Sequence, residues 1–254
     1  MVDRFPNGFD AEVKRVNEAS DRALYKYLRV HICGPYVNDS HAFLSEVKYR
    51  LQEPDPENKA NFVRAKLCTD RNETLPDHLD VKSPTRSQQQ AIREFWTDVS
   101  YSFLRNADVA IFFFLDPTIN RSNLPERAFE DTNDPDLNHL HGQNTRDLPQ
   151  DANGSVVEEL NYWLREMEMS PARTLVLFEE SNYEKTSSLV SGRVGLNDCF
   201  DHIFDTNDID SVVDFVQSRC VNWAMNQCKR RLQDQYYEDL WDDDDEDMQD
   251  DDDE

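Results

Sequence analysis

Apolar positions recur at three- and four-residue spacing from Ala11 to Leu28 (Val13, Val16, Ala19, Ala23, Leu24, Tyr27), which predicts a helix. The period then changes. Arg29–Cys33 reads as a short buried strand, apolar at Val30 and Ile32 and ended by Gly34-Pro35. His41–Leu51 carries Phe43, Leu44 and Val47 on one helical side, and Phe62–Cys68 reads as a weaker strand. After a polar stretch with Pro76 and Pro84, Ile92, Phe95, Trp96, Val99 and Phe103 form the stripe of a helix from about Ser87 to Arg105. Ala107–Leu115 (ADVAIFFFL) is a continuous apolar run, the mark of a strand buried on both faces at the centre of a parallel sheet. Ser155–Met167 reads as a helix, Thr174–Phe178 (TLVLF) as a strand, Phe200–Phe204 as a fifth strand, and Ile209 to about Tyr237 as a long terminal helix.

Strands alternating with helices predict an α/β fold. The expected form is a flavodoxin-like, doubly wound sheet of about five mainly parallel strands with helices on both faces. The chain divides accordingly into an N-terminal helical extension (1–28), the α/β domain (29–207), a C-terminal helix packed on it (208–241) and a tail (242–254). Within the domain, residues 116–154 form a long polar insertion with four prolines, too long for an ordinary connection and suggestive of a lid, an insertion or a disordered loop. The tail is nearly all acid and is expected to be disordered, because it has no apolar surface to bury. In doubly wound sheets ligands sit beyond the carboxyl ends of the strands, where strand order reverses. Here that means the segments after Cys33 and Leu115 and the start of the Ser155 helix.

Charge narrows the partners. The 254 residues hold 52 acids against 27 Lys and Arg, a formal charge of −25, with 33 Asp to 19 Glu and 19 Arg to 8 Lys. Such a surface repels itself at low salt, and at molar salt the Debye length falls to about 3 Å. The composition therefore fits a halophilic archaeal protein in a high-salt cytoplasm. No segment supplies the basic face that duplex DNA or RNA would require. No apolar run reaches the roughly 18 residues of a membrane span, and the N-terminus lacks a secretory apolar stretch. Five scattered cysteines (Cys33, Cys68, Cys199, Cys220, Cys228) form neither a C-x-x-C pair nor a disulfide framework, as suits a reducing cytosol.

Candidate chemistry gathers at the predicted switch point. Gly34-Pro35-Tyr36 could let a ligand lie against the corner after the first strand, or could be a tight turn with a packing tyrosine. Asp98, on the helix before the central strand, is either functional or a solvated surface acid. Asp116 follows the central strand directly. In Asn153-Gly154-Ser155-Val156-Val157-Glu158-Glu159, Ser155 and Glu158 have the S-x-x-E spacing of a capping box. Val156, Val157, Leu160, Trp163, Leu164 and Met167 define the buried helix face, so Glu158 points to solvent while Glu159 sits on the shoulder, half-buried at the rim of a cleft. There partial burial would raise its pKa while the helix dipole holds it ionised, the form a nucleophile or transition-state stabiliser requires. Arg193, in the glycine-punctuated loop after the fourth strand, could contact a substrate phosphate or belong to a turn. His139-Leu140-His141 with Asp134 and Asp136 lacks the spaced partner pair of a metal centre, so no metal and no cofactor is expected.

Three segments together resemble the nucleoside 2-deoxyribosyltransferase-like superfamily, related to nucleotide N-glycosidases and TIR-like nucleotide-binding domains. They are G-P-Y after the first strand, an Asp in the helix before a hydrophobic strand (T-D-V-S-Y-S-F-L-R-N-A-D-V-A-I-F-F-F), and V-V-E-E-L-N-Y. The resemblance spans about Arg29 to Phe178. It implies cleavage or exchange of the N-glycosidic bond of a nucleoside or nucleotide, with Glu159 of E-L-N-Y as nucleophile and Asp98 assisting the leaving base. Gly34 and Tyr36 would then line the sugar or phosphate side, and a homodimer is possible. The family's glycine after Glu-Leu is Asn161 here, its aspartate six residues before the nucleophile is Asn153, and aligning G-S-V-V-E with G-T-x-x-E would move the nucleophile to Glu158. These departures keep open a nucleotide-sensing or protein-interaction module on the same fold.

Overall fold

A computed structural model describes residues 28–36, 39–53, 63–71, 85–130, 153–184, 186, 190, 199–205 and 207–246. Residues 11–27 of the predicted N-terminal helix, Arg193 and the His139–His141 pair lie outside them, and Leu28, expected to end that helix, instead opens the first strand. Five strands, β1 (Leu28–Cys33), β2 (Val63–Lys66), β3 (Val109–Phe114), β4 (Thr174–Glu179) and β5 (Phe200–Phe204), form one sheet. The helices are α1 (Asp39–Gln52), α2 (Arg86–Arg105), α3 (Gly154–Asn161) and α4 (Ile209–Glu246). All strands pair in parallel, in the order β2–β1–β3–β4–β5. This is the doubly wound arrangement expected from the alternation of periods, with its order reversing between β1 and β3.

β3 shows why a strand with no polar face belongs at the centre. Val109, Ile111, Phe113 and Leu115 enter one core with α1 and α4, while Ala110, Phe112 and Phe114 enter a second with Val156, Val157 and Leu160 of α3. Strand pleat alone sends alternate residues to opposite layers. The same parity divides β1: Leu28, Val30 and Ile32 face the α1/α4 layer, leaving His31 and Cys33 to the α2/α3 layer.

Three expectations about local structure are corrected. The S-x-x-E capping box does not form: Val157 N–H already donates to Asn153 O, so the helix opens at Asn153 and both Ser155 and Glu158 are exposed on its surface. The first part of the polar insertion is tied down rather than loose. Arg121, 2% exposed, places one guanidinium nitrogen 2.7 Å from both oxygens of the fully buried Glu179 carboxylate, and its N–H donates to Asp39 at the start of α1. Arg127, in the 3₁₀ turn Glu126–Phe129, meets Glu46 and Glu53 of the α1 region. Residues 131–152 of the insertion lie outside the described set. Finally, α4 continues to Glu246, past the expected boundary at 241, so the beginning of the acidic tail is helical backbone.

Candidate functional site

β1 delivers His31 and Cys33 to the α2/α3 side of the sheet, beside the point where strand order reverses. α2 lies over this layer, started by a reciprocal cap in which Thr85 Oγ1 accepts from Gln88 N–H and Gln88 Oε1 accepts from Thr85 N–H. α3 is held by its apolar face and by Trp163, whose ring nitrogen donates to Thr174 Oγ1 at 2.9 Å. Between these elements sits Glu159. It is 8% exposed, whereas its neighbour Glu158 is exposed, so the helix geometry selects Glu159 as the inward carboxyl.

Glu159 is more deeply enclosed than a position on the helix shoulder suggests. The Ser100 hydroxyl donates to its Oε1, and Oε2 is buried with no hydrogen-bond partner. Burial pushes its pKa up to about 7, the Ser100 and Cys33 side chains opposing the rise and the Glu158 charge adding to it. A group expected to be held ionised is thus divided between acid and carboxylate at neutral pH, because loss of water outweighs the helix dipole. Burial, and then the Glu159 charge, push the Cys33 thiol well up. Burial raises Cys68 and Tyr36 as well, and both also feel Glu159. Burial disfavours the thiolate form of both cysteines.

His31 closes the cluster from beneath. It is 1% exposed, stacks on Phe103, lies 3.1 Å from Lys66 O through Nδ1 and 3.5 Å from Ser100 Oγ through Nε2. Burial holds its pKa down at about 4, so the ring is neutral at physiological pH. Ser100 therefore stands between a neutral imidazole and a carboxyl group.

The structure places the other expected residues differently. Asp98 is exposed. At about 100° per residue it lies roughly 200° round α2 from Ser100, so the helix offers Glu159 a hydroxyl and not a second acid. Gly34 and Pro35 are buried, and a Cβ on Gly34 would come within 2.7 Å of Leu44 Cδ1, so this glycine admits a helix side chain rather than a ligand. The Tyr36 hydroxyl donates to Ile32 O (3.0 Å) and accepts from Cys68 N–H (3.2 Å), which joins the ends of β1 and the segment after β2. Its ring meets His41 edge-on and packs against the α1/α4 core. Asp116 turns its Oδ1 to Thr118 N–H and Oγ1, closing a local turn. Asn153 is buried and donates to Leu115 O at 2.9 Å, as Asn182 does at 3.0 Å, and its Oδ1 has no partner. Ser155 is on the outer surface of α3.

His31, Ser100, Cys68 and Asn182 were not anticipated. The alternation of β1 could have assigned His31 to the face of Cys33, but no pattern in α2 singles out Ser100 from the polar positions around it. Among the described residues, no group of three His, Cys, Asp or Glu could hold a metal ion, and no helix is long and apolar enough to cross a membrane. No family model, no curated protein and no solved structure matches the chain at a significant level.

Proposed function

We propose that the protein binds a nucleoside or nucleotide at the β1/β3 switch point and cleaves or exchanges its N-glycosidic bond, with Glu159 as the reacting carboxylate. One observation carries the reading: Glu159 is buried in a site with one carboxyl oxygen fixed by Ser100 and the other unpartnered. The likeness of G-P-Y and E-L-N-Y to the deoxyribosyltransferase-like superfamily supports it. The base departs with the electron pair of the broken bond and takes a proton from solvent, leaving positive charge on the sugar, which a carboxylate stabilises or traps as an ester through the free oxygen. Water or a second base then takes the sugar and frees Glu159. In this reading the ligand is a small molecule, duplex nucleic acid is excluded by charge, and the reaction belongs to a halophilic, high-salt cytoplasm.

The exposed Asp98 favours a second reading, a nucleotide-sensing or protein-interaction module that binds without turnover, since the α2 side chain facing Glu159 cannot ionise. Release of free base from nucleosides, nucleotides and NAD in molar KCl, wild type against Glu159→Gln, separates the two. The enzyme reading expects release by the wild type and at least about 100-fold less by the variant. Equal release discards Glu159. Binding of the same compounds without release favours the module.

A further inference from the structure

The hydrogen-bond inventory around Ser100 has one proton too few for an ionised Glu159. Lys66 O is an acceptor only, so His31 Nδ1, 3.1 Å away, carries the hydrogen of the neutral ring and Nε2 is left as a bare acceptor. Nε2 faces Ser100 Oγ at 3.5 Å, and Ser100 Oγ also meets Glu159 Oε1. Two acceptors compete for a single hydroxyl hydrogen. With Glu159 ionised, Ser100 donates to the carboxylate and the buried Nε2 lacks a donor. With Glu159 neutral, the acid donates to Ser100 Oγ and Ser100 donates to His31, so every polar atom from Lys66 O to Glu159 Oε1 is bonded.

We propose that His31, acting through Ser100, is a positioning residue for Glu159: its acceptor nitrogen makes the neutral carboxylic acid the fully bonded, resting form of the cluster. Ionisation then turns the Ser100 hydroxyl from His31 Nε2 to Glu159 Oε1, and the released proton passes to ligand or solvent. The other groups acting on this carboxyl are Cys33 from β1, Tyr36 from the following corner, Cys68 after β2, Tyr101 from α2 and Glu158 from its own helix. None is a cation, and of them Cys33 alone, through a hydrogen bond, favours the anion. Asp70 is the charged neighbour acting on His31. For the proposed reaction the consequence, which rests on that reading, is that the nucleophile must be unmasked by losing a proton.

The test is a carboxyl carbon-13 titration of the full chain without ligand, the Glu159 resonance being the one missing from Glu159→Gln. The wild type should titrate near neutrality. His31→Phe removes the competing acceptor and should lower the midpoint by about one unit; Ser100→Ala removes the donor to the anion and should raise it by about one unit. His31→Gln, whose amide keeps a donor and an acceptor, should return the midpoint toward the wild-type value. A midpoint unmoved by His31→Phe, or moved the same way by His31→Phe and Ser100→Ala, overturns the proposal. The readout needs no substrate, so a failure to release base from nucleosides leaves it standing and refutes only the reaction.

Discussion

Glu159 and His31 are perturbed by the same cause in opposite directions along the pH scale. Burial disfavours the charged form of each, raising the acid from 4.5 to about 7 and lowering the base from 6.5 to about 4. Because Glu159 stays protonated longer in the folded state, its contribution is greatest below pH 4.5 and is lost as pH rises through 7. His31 binds its proton more readily when unfolded, so its contribution is full above 6.5 and is lost as pH falls through 4. Each is worth about 3 kcal/mol across its window. Between about pH 4.5 and 6.5 the slopes cancel, and urea unfolding of the wild type should show stability nearly flat there. Glu159→Gln should uncover the His31 slope, with stability rising with pH and exceeding the wild type by about 3 kcal/mol at pH 8. His31→Phe should uncover the opposite slope. Parallel pH curves for all three proteins would show that the two groups titrate as they do in water. Gly34 makes a steric rather than an electrostatic demand: Gly34→Ala must displace the buried Leu44 side chain, and should cost about 1–3 kcal/mol of unfolding free energy. An unchanged urea midpoint would mean that α1 yields freely.

At the scale of elements, the carboxyl ends of β3 and β4 are joined by a buried ion pair rather than by apolar packing. One Arg121 nitrogen meets both Glu179 oxygens, and the same carboxylate accepts the Asp116 N–H, so the chain leaving β3 is held against β4 and, through Asp39, against α1. Removing one partner leaves an uncompensated buried charge. Arg121→Met should therefore destabilise by about 3–5 kcal/mol, whereas Arg121→Met with Glu179→Leu should recover most of the loss. Thermal unfolding of the two variants checks this, and equal destabilisation by both would assign the cost to packing. The geometry also explains how α3 can present a buried acid. Its outer face carries Ser155 and Glu158 and its inner face Val156, Val157 and Leu160, so Glu159, between them, enters the α2/α3 layer without displacing the apolar contacts that hold the helix.

For the whole molecule, 25 net negative charges must coexist on one chain. Screening falls from a range of about 10 Å at 0.1 M salt to about 3 Å at 1 M, so added KCl should raise the melting temperature progressively. A melting temperature independent of KCl would show that the acids are spaced widely enough not to repel. The buried pairs respond differently, because solvent ions do not reach them. Arg121–Glu179 should contribute alike at low and high salt, a contrast that a salt series on Arg121→Met resolves.

The pattern of the chain determined the layers. A six-residue strand with no polar face can only be central, β1's alternation selects its two faces, and apolar spacing in α3 turns Glu159 inward and Glu158 outward; these follow from local geometry and the exclusion of water. Tertiary structure decided what Glu159 meets. Helical period states which residues share a face but not which face of another helix opposes them, so Asp98 and Ser100, two positions apart, could not be ranked until α2 was laid beside α3. Nor could a one-dimensional pattern show that Gly34 makes room for Leu44, that Tyr36 spends its hydroxyl on backbone, or that a histidine 128 positions away (31 to 159) stands behind the same serine. Those contacts depend on the register of packed elements, and packing also removed the water that would have left Glu159 an ordinary carboxylate.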